Sequence, residues 1–536
     1  MQLYFDAGSP SKTMSIDILM LVSHTVSGRS SNNCRFGFIC TRGLVQDYNS
    51  DVFSHLPPAH LHASSDDTLR FRSLSSSRFR GCAARRDEAS SPTGGQPVNL
   101  WRRLPIGTSA LTLALACIAI PSAAAQGIRW KLACTGKSKP GDGSRSLSGA
   151  RYRAGGETKS FGFDLTASPQ VTDSGCTSDA PFFVSVAEPE GNYRVTVRLG
   201  SGDSAVTTVK AEARRLMIEQ LATRPGQTMV RSFVVNIRTP YISPEESVRL
   251  KPREIGNLDW DEKLTLEFTG THPSVRTIEI EPANVPTIYL AGDSTVVDQD
   301  KEPWAAWGQM LPRYFKDKVA IANNAESGET IRSFVEERRL DKVMSSIRSG
   351  DYLFIQFAHN DQKPGLGFVP IPEYQDLLRR YIALAGAKGA HPVLVTSMNR
   401  RNFAPDGTIE QTLGRYPNAM RQVAREQDVP LIDLNAMSKT LFEGMGPEGT
   451  LKAFVQYPAN TFPEQTAELK DNTHFNGYGA VELAQCVVES VRTLRLPIAK
   501  DIRPDASRFD PAHPDPPSSW TVPVDPFLST QKPYER

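Results

Sequence analysis

The spacing of apolar residues along the chain changes period near residue 286. From about Gln126 to Asn284, apolar and polar positions alternate in short runs rich in β-branched residues, as in Ser160–Leu165, Tyr193–Leu199, Met229–Ile237, Leu264–Phe268 and Val275–Ile280. Alternation of period two turns successive side chains to opposite faces, and the Gly, Pro, Asp and Ser clusters between runs supply turns, so this stretch predicts an all-β sandwich. From Pro286 onward, short apolar runs alternate with segments of helical period. The predicted strands are Thr287–Ala291, Val319–Asn323, Asp351–Phe357, Pro392–Thr396 and Leu431–Leu434. The helical stretches lie near Trp304–Phe315, Phe334–Ile347, Pro372–Ala387, Pro417–Gln427 and Asn476–Leu494. Such alternation predicts a three-layer α/β domain with a parallel sheet, whose site forms from loops at the strand C-terminal ends.

Length and composition fit two globular domains: 536 residues, 39% apolar and 22% charged. One stretch stands apart. Leu111 to Ile120 is apolar except for Thr112, follows Trp101-Arg102-Arg103 and runs into Pro121-Ser122-Ala123-Ala124-Ala125. A basic start, a short apolar centre and a small-residue end describe a secretory signal peptide over 98–125, cleaved after Ala125 and too short to span a bilayer. Residues 1–97, rich in Ser and Arg without sustained periodicity, then read as a disordered extension, an internal anchor's leader, or sequence upstream of a true translation start near Val98 or Leu100. The expected division of the rest is an accessory β-sandwich domain at 126–285, the α/β domain at 286–500 and a Pro-rich tail along the surface at 501–536.

A signal peptide implies a secreted or periplasmic protein with no stable membrane anchor after cleavage. The formal net charge of +2 becomes slightly negative once the basic leader is removed, which excludes a general nucleic-acid binder. Export permits disulfides, so Cys134 and Cys176 are a plausible bridge, while Cys486, on an apolar helix face, reads as a buried free thiol. No His or Cys spacing suits zinc, and no metal is called for.

The candidate chemistry lies at two places. The predicted strand Thr287–Ala291 ends in Gly292-Asp293-Ser294-Thr295, and Asp471-Asn472-Thr473-His474 precedes the last helical stretch. A serine hydroxyl needs an adjacent base, and the base needs a third group to hold its tautomer; Ser294, His474 and Asp471 offer that set. Thr295-Val296 after the serine departs from the Gly-x-Ser-x-Gly elbow of α/β-hydrolases. Acyl transfer also needs donors aimed at a developing oxyanion. Gly328, in the loop after the second strand, and the Asn360 side-chain amide, after the third, join the Ser294 N–H as candidates. Asp293 is expected to hold its turn, and His359 to act as a structural hydrogen-bonding residue.

In chain order, Gly-Asp-Ser, a glycine block, Ala-His-Asn-Asp and Asp-x-x-His resemble the SGNH (GDSL-type) hydrolase superfamily, whose four named residues would fall on Ser294, Gly328, Asn360 and His474. The resemblance implies a flavodoxin-like fold, a Ser294–His474–Asp471 triad, and an oxyanion hole made by Ser294, Gly328 and Asn360. Longer stretches, Ala306-Trp307-Gly308-Gln309, Arg332-Ser333-Phe334, Gly350-Asp351-Tyr352, Ile355 to Lys363 and Asp471 to Asn476, look like rhamnogalacturonan acetylesterases; Ala358 stands where that block usually has glycine. This implies removal of O-acetyl groups from pectic rhamnogalacturonan through an acetyl-serine intermediate, with an acetylated polysaccharide or oligosaccharide as substrate and no cofactor. Two alternatives stay open: the same chemistry on acetylated xylan, another glycan or a lipid ester, and a non-catalytic polysaccharide-binding protein. Arg400, Arg401 and Lys363, after strand ends, are candidate partners for uronate carboxylates. Trp307, with Trp304, is a candidate sugar-stacking face.

Overall fold

In the computed structural model, residues 15–17, 42–44, 129–136, 143–155 and 160–533 are described. The expected signal peptide, 98–125, lies outside the described residues, as does all of 1–97 apart from the antiparallel pair Ser15–Asp17 with Arg42–Leu44. All other elements belong to the unit Leu115–Arg536.

Two largely antiparallel sheets occupy residues 130–282. One runs, in spatial order, Arg215–Thr223, Ala205–Ala211, Lys263–Thr271, Phe182–Ala187, Phe161–Asp164; the other runs Met229–Ile237, Gly191–Leu199, Ser274–Pro282, Trp130–Ala133, Arg145–Ser146. Their facing side chains form one core. Gly191–Leu199 shows why: Tyr193, Val195, Val197 and Leu199 are buried there while Arg194, Thr196 and Arg198 between them are not. Cys134 and Cys176 are disulfide-bonded and Cys486 is free and buried.

Alternation missed Phe182–Ala187, Ala205–Ala211 and Arg215–Thr223, and the reason is coverage on both faces. Phe182 to Val186 are buried without a break, and the outward Phe183 ring meets Phe527 of the C-terminal segment. On the same outer face Lys210 is buried against Glu267 and Asp525.

The second layer system is a parallel sheet in the order Ala320–Asn323, Thr287–Gly292, Tyr352–Gln356, His391–Val395, Leu431–Ile432. In chain order this is 2-1-3-4-5, a doubly wound arrangement whose crevice lies outside the strand C-termini. Thr287–Gly292 packs both ways: Ile288 and Leu290 join one core with the helix Gly477–Thr493, and Tyr289 and Ala291 join another with the helices Ile371–Ala387 and Tyr416–Glu426. Each predicted strand is present within a residue or two. The predicted helix Phe334–Ile347 is two helices, Ile331–Glu336 and Arg339–Ser346, parted by Arg338 in the left-handed region. Two elements had no legible period: the helix Leu434–Thr450, kinked at Gly446 before Pro447, and the antiparallel pair Phe454–Tyr457 with Leu469–Phe475. Asp471 and His474 therefore sit on a strand.

The β-rich part and the parallel sheet meet through buried charge. Arg215, fully buried, lies 2.7 Å from Asp298 and 3.1 Å from Asp259, and donates to the Asn236 carbonyl at 2.7 Å. Its neighbour Arg214 donates to the carbonyls of Gln299 and Trp304, each at 3.0 Å. Both contacts land on the loop that follows Ser294. Arg215→Ala would leave Asp259 and Asp298 without this guanidinium in a dry environment, so a loss of about 3–5 kcal/mol is expected, measured by urea denaturation beside the wild type.

Candidate active site

Ser294 leaves the C-terminal end of Thr287–Gly292 in a turn whose geometry comes from its neighbours. The Asp293 carboxylate accepts from the Thr295 N–H at 2.9 Å and the Thr295 hydroxyl at 2.7 Å. The Asp293 carbonyl accepts from the N–H groups of Val296 and Val297. A side chain at position 292 would collide with Val296, 2.6 Å from the position of its first carbon, so Gly292 is what lets this turn close. Asp293 is thus the turn-holding residue expected, and burial pushes its carboxyl up.

Facing it, His474 comes from the strand Leu469–Phe475. Its Nε2 lies 2.8 Å from Ser294 Oγ, and its Nδ1 lies 2.8 Å from Asp471 Oδ2. The other oxygen of Asp471 accepts from the backbone N–H of Thr473 at 2.7 Å and of His474 at 2.9 Å. With the carboxylate accepting a hydrogen bond from Nδ1–H, Nε2 is left to accept from the serine hydroxyl. Burial pushes the Asp471 carboxyl up, but the hydrogen bond and charge of His474 and the two backbone donors outweigh it and hold it at about 2. Trp304 packs edge-on against the imidazole, centroids 5.9 Å apart.

Two more loops close on this relay. Residues 326–329 form a turn in which the Glu329 N–H reaches the Glu326 carbonyl at 3.3 Å, with Gly328 in the left-handed region at φ 79. The Glu326 N–H bonds the Gly292 carbonyl and keeps this turn against the serine. Asn360 uses one amide hydrogen on the Glu329 carbonyl at 3.0 Å, which leaves the second for a ligand.

A model of the GDSL-like lipase/acylhydrolase family matches residues 290–480. Over 213 residues, 39% of this chain and 91% of the relative, the chain is 46% identical to the rhamnogalacturonan acetylesterase RhgT of Bacillus subtilis (strain 168). The chain belongs to the GDSL-like lipase/acylhydrolase family. An alignment of 353 residues at 27% identity, 62% of this chain and 84% of the relative, is with the uncharacterized esterase YxiM of the same organism. An X-ray structure of the Bacillus subtilis YxiM protein matches with a TM-score of 0.39 at 24% identity, covering 69% of this chain and 99% of that one.

In this GDSL-like hydrolase the Ser294 turn is braced from behind. Gln356 donates to the Thr295 hydroxyl at 2.8 Å and accepts from the Trp307 indole N–H at 3.0 Å. That corrects the expectation for Trp307: it is fully buried, its polar edge is spent on Gln356, and no sugar can stack on it. Trp304 is also buried, donating to the Ser529 carbonyl at 2.9 Å. His359 needs correction too. It is buried, and neither ring nitrogen has a hydrogen-bond partner among the described residues; burial, then the charge of Arg400, pushes its pKa well below the usual imidazole range, so it packs as a neutral ring. Arg400 bridges the site's loops, donating to Thr473 at 3.3 Å and the His359 carbonyl at 3.1 Å. Arg401 donates to the Pro447 carbonyl and Thr450. Lys363 reaches the Asn360 side-chain oxygen at 3.1 Å.

Sequence reasoning missed the residues that arrive from far along the chain. Lys251 and Arg253 reach the Gly328 turn from the β-rich part, and Lys532 of the C-terminal segment lies 3.5 Å from Asp471. Their only local signal is a basic, Pro-containing stretch at 249–253 and a lysine in a Pro-rich tail. The tail is more than a surface covering: Asp525, Phe527, Ser529 and Lys532 link the outer sheet face to the triad.

Because the Asp471 pKa is lower in the folded chain than the 3.8 of a free carboxyl, its stabilisation is fully present above about pH 4 and is lost as pH falls through about 2. Asp471→Asn is expected to cost about 2 kcal/mol at pH 7, with the gap to wild type closing between about pH 4 and 2, measured by urea denaturation over that range.

Proposed function

We propose that this protein is a carbohydrate O-acetylesterase acting on acetylated rhamnogalacturonan through an acetyl-serine intermediate. The observation that carries this reading is the 2.8 Å Ser294–His474 contact, continued at 2.8 Å to Asp471; the 46% identity to a rhamnogalacturonan acetylesterase supports the substrate class. Ser294 Oγ attacks the acetyl carbonyl as its proton passes to His474 Nε2, and Asp471 stabilises the imidazolium that forms. The oxyanion is met by the N–H groups of Ser294 and Gly328 and the remaining amide hydrogen of Asn360. His474 returns the proton to the departing sugar oxygen, then deprotonates the water that releases acetate and restores the serine.

A cavity of about 350 Å³ beside the site, bordered by Trp260, Trp304, Lys301, Ser327 and Lys532, is of a size that suits a sugar ring. Lys363 and Arg400 stand at the same sheet edge as cationic groups for a uronate carboxylate. The β-sandwich at 126–285 serves in this reading as an accessory domain that also buttresses the site, 286–500 as the hydrolase domain and 501–536 as the tail. Export to the periplasm or medium is supported by the leader pattern at 98–125 and by the Cys134–Cys176 disulfide.

Acetate release by the purified protein is the test, on acetylated rhamnogalacturonan beside acetylated xylan and long-chain nitrophenyl esters. Preference for the pectic polymer is expected; preference for xylan or long acyl chains would overturn the substrate assignment. Ser294→Ala is expected to lower kcat at least about 10³-fold and Asn360→Ala about 10²–10³-fold, with little change in KM for either.

A further inference from the structure

The turn at 326–329 contains one peptide bond that matters most to the reading above: its carbonyl belongs to Ser327 and its N–H to Gly328. Gly328 is third in the turn at φ 79, whereas Ser327 is not in the left-handed region, which is the type II form. Types I and II differ by a rotation of this central peptide through roughly 180°, and glycine at the third position makes the alternatives close in energy. Left to itself, the turn could present either an N–H or a C=O toward the serine.

Two cations from the β-rich part hold that carbonyl. Lys251 Nζ donates to Ser327 O at 3.0 Å and Arg253 donates to the same oxygen at 2.5 Å. Each is itself held by the turn's own carboxylates: Lys251 pairs with Glu329, and the Arg253 Nε bonds Glu326 at 2.9 Å. Glu329 is buried, receives the Ser333 hydroxyl at 2.6 Å, and lies 3.8 Å from Arg339. In a trans peptide the N–H points opposite to the C=O, so anchoring the oxygen fixes the direction of the Gly328 N–H. Donors on the carbonyl also polarise the amide and strengthen the N–H as a donor.

We infer that Lys251 and Arg253 are positioning residues for the acyl-transfer reaction: by clamping the Ser327 carbonyl they select the turn form that aims the Gly328 N–H at the oxyanion. The inference rests on the reading of Gly328 as an oxyanion donor. It gives the β-rich part a task in the chemistry itself, since hydrogen bonds from 251 and 253 reach a peptide more than seventy residues further along. The clamp acts in the transition state, because ground-state substrate has no oxyanion to receive the N–H.

The experiment uses the full chain with Lys251→Gln, Arg253→Gln and Arg253→Lys, nitrophenyl acetate as substrate, and methylboronic acid as a probe that forms a tetrahedral adduct on the serine oxygen. Removing a whole oxyanion donor costs about 10²–10³-fold, so loosening one is expected to lower kcat by about ten-fold with KM within about two-fold. The boronate Ki is expected to rise in parallel with the fall in kcat/KM, and Arg253→Lys, which keeps a cationic donor, to recover most of both. Arg253 is 38% exposed in its side chain, so its variants remain decisive if Lys251→Gln does not fold. A kcat within about two-fold of wild type, or a lower kcat with unchanged boronate Ki, overturns the clamp. Full activity in Ser294→Ala would overturn the serine reading instead, and with it the clamp; loss in Ser294→Ala with normal Arg253→Gln overturns the clamp alone.

Discussion

Asp471 takes hydrogen bonds from the backbone of Thr473, the backbone of His474 and the ring of His474, all within the next three residues. That carboxylate orients the imidazole through contacts within one short segment: the ring cannot turn away without giving up a bond to a group whose charge is held by two backbone donors. The rest of the structure has to bring a serine, 180 residues earlier, to 2.8 Å from the free nitrogen. It does so with rigid elements. The serine leaves the central region of a parallel sheet, and the base lies on a strand that runs into the helix Gly477–Thr493, capped by Asn476 and buried along most of its length.

The site is also ringed by buried charge that adds little to net stability, since desolvation offsets most of the attraction in such pairs. Arg215 with Asp298 and Lys251 with Glu329 join the β-rich part to loops of the parallel sheet, and Glu254 joins it to Arg339 at the start of the helix Arg339–Ser346. Apolar contacts alone would let two layers slide by a fraction of a residue. Directional pairs on Asp298 and on residues 326–329 set the register of the loops that flank Ser294, which is where a small displacement would matter most.

The C-terminal segment plays a similar part from the other side. Asp525 is anchored on Lys210 and Phe527 on Phe183; from there Ser529 holds the Trp304 indole, whose edge lies on His474, and Lys532 approaches Asp471. Two distant stretches of chain, the loop after Ser294 and the C-terminal segment, therefore converge on one imidazole–carboxylate pair.

What the sequence by itself determined were features whose cause is local. Strands of the parallel sheet show as short apolar runs, the strand Gly191–Leu199 shows by alternation, and Ser294, Asp471 and His474 show as a hydroxyl, a carboxylate and an imidazole in two short motifs, which the fold brings into contact. Tertiary structure decided the rest. Trp307 and His359 look from the sequence like groups for a ligand or a hydrogen bond, but one is spent on Gln356 and the other is buried with neither ring nitrogen bonded among the described residues. The strand Phe182–Ala187 has no alternation because both of its faces are covered, and the grip of Lys251 and Arg253 on Ser327 spans more than seventy residues. Local period reports what lies one turn or one pleat away; which layer covers a face, and which distant charge meets a given carbonyl, depends on how separate elements pack.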